Sequence, residues 1–241
     1  PARGEVLSAY DDAGNLVSQT DQTGAKTTFT HDELGRTRTE TAVVRQAAPA
    51  GSFTTTFDYD DLGNRVFQKD PSGASVSWTY NAASEQTAAI DELGKTTTFA
   101  FDAAGRNTVE QDPLGRTVVH AFDLAGRETS TEHRTGGAGG TLLATEYQAF
   151  DAFGNLTAER SARSASGTDD TYKTSFTWDA LNRRTSVVEP NNPAPLTTGF
   201  GYDAAGNLTR VTDGRGNVTT HSWTPWNTPE SVVEPSTTGQ T

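Results

Sequence analysis

The chain has 241 residues and a formal net charge of −12, which argues against nucleic acid and against an anionic membrane surface as partners. Only 33% of residues are hydrophobic while Gly, Thr and Asp abound, a balance that suits a thin, turn-rich sheet better than a thick core. With no cysteine there is no disulfide framework, no thiolate nucleophile and no cysteine-ligated metal, and no apolar run approaches a transmembrane span.

From the N-terminus onward one pattern recurs. An aromatic register position falls at Tyr10, His31, Tyr59, Tyr80, Phe101, Phe122, Phe150, Trp178, Tyr202 and Trp223, most often 21 residues apart. A turn of the form Asp-x-x-Gly follows most of these residues: Asp11 to Gly14, Asp60 to Gly63, Asp102 to Gly105, Asp123 to Gly126, Asp151 to Gly154 and Asp203 to Gly206. Asp179 opens the same turn after Trp178, with Asn182 in the glycine place, and Ser84 takes that place after Tyr80. Both substitutions are expected to weaken their turns. About ten residues further on lies a second turn, as at Asp70-Pro71-Ser72-Gly73, Asp91-Glu92-Leu93-Gly94 and Asp112-Pro113-Leu114-Gly115. Asp closes such a turn by accepting backbone N–H bonds, Pro supplies a fixed φ, and Gly tolerates the left-handed conformation.

Fixed-period self-similarity of this kind predicts a repeat array. The six or so residues between turns make a normal strand, so each unit reads as a β-hairpin and residues 1–241 as one antiparallel meander of about ten units. Alternation assigns the faces. Phe57 and Tyr59, Trp78 and Tyr80, Phe99 and Phe101, and Phe200 and Tyr202 share one face, while Thr79, Ala100 and Thr177 fall on a thin polar one. The longer units keep the first turn and lengthen the second, around residues 46–51, Gly136 to Gly140, Ser161 to Asp170 and residues 190–193. All four insertions therefore decorate one edge, where loops can carry binding. Because the chain begins at Pro1 inside this pattern and has no Met, it is expected to be a piece of a longer polypeptide.

The units Tyr10-Asp11-Asp12-Ala13-Gly14-Asn15-Leu16, Tyr59-Asp60-Asp61-Leu62-Gly63-Asn64, Phe101-Asp102-Ala103-Ala104-Gly105-Arg106 and Tyr202-Asp203-Ala204-Ala205-Gly206-Asn207 closely resemble the YD repeats of the RHS family. That resemblance covers nearly the whole chain. It implies an all-β fold, a spiral ribbon of hairpins forming part of a hollow shell around an enclosed toxin domain. The partners it implies are the remainder of a longer RHS polypeptide and its cargo, and the place is extracellular, secreted or attached to the cell surface. Family features that follow the repeats, a self-cleaving segment and the toxin itself, are not visible here, so neither activity is expected.

Recurrent Asp beside aromatics could suggest the paired carboxylates of a glycosidase, but their fixed turn position explains them structurally. The stretch from Asp58 lacks the Glu that an EF-hand needs at its twelfth place, where Lys69 stands. His31, His120 and His221 fill aromatic register positions, so no metal site, cofactor site or catalytic residue is predicted. Matches to the glycosylation sequon at Asn155, Asn207 and Asn217 arise from the turn itself. A second reading is a carbohydrate-binding or adhesive surface module, contacting glycans through the edge loops or through Trp223 and Trp226, or self-associating through its free sheet edges.

Overall fold

The computed structural model describes residues 5–43, 52–164, 166–190 and 194–235. Of the four edge insertions, residues 46–51 and 191–193 lie outside the described residues. Two compact units emerge, Pro1–Gly115 and Arg116–Thr241. Every regular element among the described residues is a strand.

The first unit begins with β1 (Leu7–Tyr10), β2 (Leu16–Thr20), β3 (Lys26–His31), β4 (Thr37–Val43) and β5 (Ser52–Tyr59). It continues through β6 (Arg65–Lys69), β7 (Ser75–Tyr80), β8 (Gln86–Ile90), β9 (Thr96–Phe101) and β10 (Asn107–Gln111). Each strand pairs antiparallel with the next in sequence. The second unit opens with β11 (Arg116–Phe122), β12 (Glu128–Thr135), β13 (Thr141–Phe150), β14 (Leu156–Arg160) and β15 (Lys173–Trp178). β16 (Arg184–Glu189), β17 (Leu196–Tyr202), β18 (Leu208–Thr212), β19 (Val218–Trp223) and β20 (Pro229–Val233) complete it with the same nearest-neighbour pairing.

Local chemistry explains why the chain reverses where it does. In the first turn of the Tyr59 unit, Asp60 Oδ1 accepts the N–H groups of Leu62 and Asn64, and the Gly63 N–H closes on the Asp60 carbonyl. Gly63 then takes a φ of +90°, which costs a glycine nothing. Ser84 and Asn182 adopt the same left-handed conformation at 62° and 57° and keep the same closing bond, so both turns close without a glycine. Their short polar side chains find partners across the sheet edge, described below.

Behind each first turn the register slips by one residue next to the aromatic, as between Ala100 and Phe101 or between Gly201 and Tyr202. Such a bulge leaves one residue unpaired. Thr108, Thr129, Thr157 and Thr209 in that place each donate Oγ1–H to the carbonyl just before the aromatic of their own hairpin, whereas Thr87 and Thr185 pair with the hydroxyls of Thr79 and Thr177.

The sheets have almost no interior. Ala158 is the one buried hydrophobic residue among those described, and the most deeply covered side chain is Thr117, at 1% exposure. Cohesion instead comes from cross-strand pairs on both faces. On the thin face, hydroxyls pair directly in Thr30–Thr39, Thr41–Thr54, Thr79–Thr87 and Thr177–Thr185. On the aromatic face, Arg65 lies over both Phe57 and Trp78, and Arg184 over Phe200. A single layer laced on each side matches the low hydrophobic content.

Candidate functional site

The most organised surface within each unit is the edge formed by the first turns, where one turn grips the next at six junctions. The residue after the glycine place is the grip. In the turn itself it folds back on the opening aspartate: Asn15, Asn64, Asn155 and Asn207 donate Nδ2–H to Oδ2 of Asp11, Asp60, Asp151 and Asp203, and Arg36, Arg127 and Arg183 donate Nε–H to Asp32, Asp123 and Asp179. Held in that way, the group points at the neighbouring turn.

Two kinds of junction result. Where the grip is arginine, Nη1 donates to the opening carbonyl of the next turn, as from Arg36 to Asp60, from Arg127 to Asp151 and from Arg183 to Asp203. The same guanidinium stacks on the next register aromatic, 5.0 Å from Tyr59, 4.7 Å from Phe150 and 4.7 Å from Tyr202. The neighbour's glycine place is occupied by glycine in all three. Where the grip is asparagine and the neighbour is Ser84, Asn182 or Asn227, the amide of Asn64, Asn155 or Asn207 donates to that side chain instead. Asn227, at φ 58°, is the third non-glycine in this conformation.

The aromatics answer in the opposite direction. Tyr80 and Tyr202 donate their hydroxyls, and Trp178 and Trp223 their indole N–H, to the carbonyls of Arg65, Arg184, Leu156 and Leu208. Each acceptor opens a strand of the preceding hairpin. So the signature residues Tyr59, Asp60, Gly63, Phe150, Asp151, Gly154, Trp178, Asp179, Tyr202, Asp203 and Gly206 meet at the junctions of neighbouring turns. Tyr10, Asp11 and Gly14 lie at the end of β1, which pairs with β2 alone among the described residues, and Tyr10 is 63% exposed. Trp223 is held within the sheet, whereas Trp226 at a turn tip is 87% exposed, so the two tryptophans suggested for glycan contact sit in different settings.

Electrostatics at this edge follows from the turns. Hydrogen bonds from the Asn207 side chain and backbone hold the Asp203 carboxyl below its usual 3.8, and the Asn15 side chain does the same for Asp11. Asn64 and Asn155 act likewise on Asp60 and Asp151. These carboxylates are acceptors already engaged, a poor state for acid–base catalysis. The edge is built for cohesion.

Elsewhere His120 does more than fill a register place: its Nδ1 lies 2.8 Å from Glu128 Oε1, which also accepts from Thr131. The hydroxyl bonds the carboxylate and not the imidazole, so the trio is not a nucleophile–base pair. No group of three or more His, Asp or Glu side chains able to hold a metal occurs among the described residues. In the second unit the Ser161–Asp170 insertion borders a cleft of about 370 Å³ lined by Glu146, Gln148, Glu159, Arg163, Tyr172 and Thr174. Arg163 caps the Tyr172 ring at 4.5 Å, and Asp170 pairs with both Arg160 and Lys173.

Comparison with known proteins agrees with this construction. The RHS Repeat family model matches residues 10–47, 80–117 and 198–238. No curated protein matches the sequence. Among solved structures, TcdB2-TccC3-Cdc42 superposes with a TM-score of 0.56 at 15% identity, covering 92% of this chain and 13% of that one. TcdB2-TccC3 without its hypervariable C-terminal region gives 0.55 at 16% identity over 90% and 13%, and the Photorhabdus luminescens Tc holotoxin pore gives 0.52 at 14% over 94% and 15%. At such identities the likeness is one of fold, and this chain spans less than a sixth of each of those proteins. Hairpin units, gripping turns and the three family matches agree that this chain carries RHS repeats.

Proposed function

We propose that this chain is a stretch of wall in a larger RHS-type shell that encloses a toxin domain and helps deliver it, outside the cytoplasm of the producing cell. The observation that carries the reading is the two-way grip between successive first turns. It joins hairpin to hairpin without a core, so wall area grows by adding units. Likeness of fold to TcdB2-TccC3 supports it. Small-angle scattering across a concentration series tests it. A monomer with a curved, open profile is expected, and particles that lengthen with concentration would replace a wall by a self-assembling surface structure.

The Ser161–Asp170 cleft favours a second reading, a carbohydrate-binding module. A capped Tyr172 ring beside carboxylate, amide and hydroxyl groups offers a stacking face with hydrogen-bond partners for a sugar. A glycan array on the chain and on Tyr172→Ala separates the readings, since a wall shows no saccharide preference.

A further inference from the structure

In the second unit the aromatic face changes character at the Ser161–Asp170 cleft. Most units carry Thr or Val four residues before the register aromatic and an aromatic or His two before it, as in Thr97-Phe99, Val118-His120 and Thr198-Phe200. On β13 these places hold Glu146 and Gln148 instead. The pairing strand departs with them. Glu159 stands opposite Gln148, where Val187 and Val211 stand opposite Phe176 and Phe200. Alternation puts Glu146, Gln148 and Glu159 on one face, with Thr174 of β15 opposite Glu159. All four line the cleft, and Tyr172 forms part of its wall.

The two carboxylates are uncompensated. Glu146 and Glu159 are diagonal neighbours across β13 and β14, a placement in which like charges repel. Neither has a cationic partner or a side-chain hydrogen bond among the described residues. The cations nearby are already committed: Arg160 and Lys173 both pair with Asp170, and the Arg163 guanidinium lies on the Tyr172 ring. At about 370 Å³ the hollow falls within the range of small-molecule sites. Aromatic wall, amide and hydroxyl suit the ring and hydroxyls of a sugar, and the carboxylate pair adds a demand for positive charge.

We propose that this cleft binds an amino sugar in its protonated, non-acetylated form, with the ammonium seated between Glu146 and Glu159. Gln148 and Thr174 serve ring hydroxyls, and Tyr172 packs against the ring. The inference rests on the carbohydrate reading of the cleft and narrows it to one class of sugar. An N-acetylated sugar brings no charge, and a uronic acid brings the wrong one. The same two carboxylates therefore select for the amine and against acidic glycans.

The test is calorimetric titration of the intact 241-residue chain with the β-1,4-linked glucosamine disaccharide, its di-N-acetyl counterpart and cellobiose. It is run at about pH 6, where a sugar amine is protonated. The amine is expected to bind at least about tenfold more tightly than the other two, a preference that shrinks as salt is added. Both glutamates are exposed, so Glu146→Gln/Glu159→Gln keeps the fold; it is expected to erase the preference and leave the neutral sugars unchanged. Tyr172→Ala is expected to weaken all three. Equal binding of the three sugars, or a preference that survives the double variant, would overturn the inference and leave the carbohydrate reading in place. Binding of none of them would overturn both. Spermidine, a cation without a ring, is expected to bind more weakly than the amine disaccharide. Equal binding by spermidine would reduce the site to a charged patch and overturn the inference as well.

Discussion

Arg183 and Tyr202 belong to successive hairpins, yet the guanidinium carbon lies 4.7 Å from the ring centroid while Nη1 donates to the carbonyl of Asp203. The same group is pinned from behind by Asp179. One planar side chain thus ties together the turn it closes, the next turn and the next register aromatic. A lysine can make a point contact but cannot fork to two acceptors and stack at once.

Arg183→Lys should therefore fail to restore what Arg183→Ala removes. Cation–π contact at partly exposed sites is worth about 0.5–1 kcal/mol, and the hydrogen bond to Asp203 about as much again. A loss of about 1–2 kcal/mol for alanine and nearly as much for lysine is the expected outcome in urea unfolding. Full recovery by lysine would show that charge alone matters at the junction.

The pairing of arginine with glycine and of asparagine with a side-chain acceptor should appear as coupling between sites. Gly206→Asn places an amide against Nη1 of Arg183, which lies 3.9 Å from the new Cβ position. Gly206→Asn/Arg183→Asn instead recreates the Asn155–Asn182 junction, bonded at 2.8 Å. The double variant should be more stable than the sum of the single losses by about 0.5–1 kcal/mol, in the range of contacting residues. Strict additivity would mean that the two junction types are interchangeable.

Acid should loosen the turns together. The carboxyls of Asp11, Asp60, Asp70, Asp151, Asp203 and Asp213 are all held below 3.8 by hydrogen bonds, the largest from Asn15, Asn64, Ser72, Asn155, Asn207 and Asn217 respectively. A depressed folded value means that the unfolded chain binds more protons in this range. The stabilisation is complete above the ordinary value and is lost as pH falls through the folded ones. Thermal unfolding should accordingly be insensitive to these groups at pH 5–7 and fall steeply below about pH 4. Asp203→Asn should flatten its share of that slope. A midpoint already falling between pH 7 and 5 would assign acid sensitivity to groups other than these carboxyls.

Much of this was legible in the sequence because turn chemistry is local. An Asp, a Gly and an aromatic at fixed offsets specify a reversal, a bulge and a face, and the ten hairpins follow. What lay beyond reach was pairwise. The fifth turn residue reads plainly as Asn or Arg, but its role depends on a neighbour 20 to 27 residues away. The signal was present: Ser84, Asn182 and Asn227 each follow a unit whose fifth residue is asparagine, and this co-occurrence would have revealed the junction. For the same reason Ser84 and Asn182 looked like defects, since their partners Asn64 and Asn155 are not local. Two of the bulge threonines, Thr157 and Thr209, were also visible, but as parts of sequons. Asn155 and Asn207 spend their amides on two acceptors each, which explains the pattern without a glycan. The Ser161–Asp170 cleft could not be foreseen, because an insertion's path is fixed by the surface on which it lands.

The tryptophans offer a direct check of which aromatics are structural. Trp178 and Trp223 donate their indole N–H to Leu156 and Leu208 at 2.8 and 2.7 Å, and Trp78 lies beneath Arg65 at 5.1 Å. Trp226 makes no comparable side-chain bond and is 87% exposed at a turn tip. Acrylamide should therefore quench one class of fluorescence readily and the rest weakly, and Trp226→Phe should remove the accessible class with little change in stability. Trp223→Phe should leave that class intact but lower the unfolding midpoint, since the Leu208 carbonyl loses its donor at a cost of about 1 kcal/mol. If Trp226→Phe instead left the accessible class in place, the indole reached by solute would be one of the gripping residues, and the junction it serves would be open in solution.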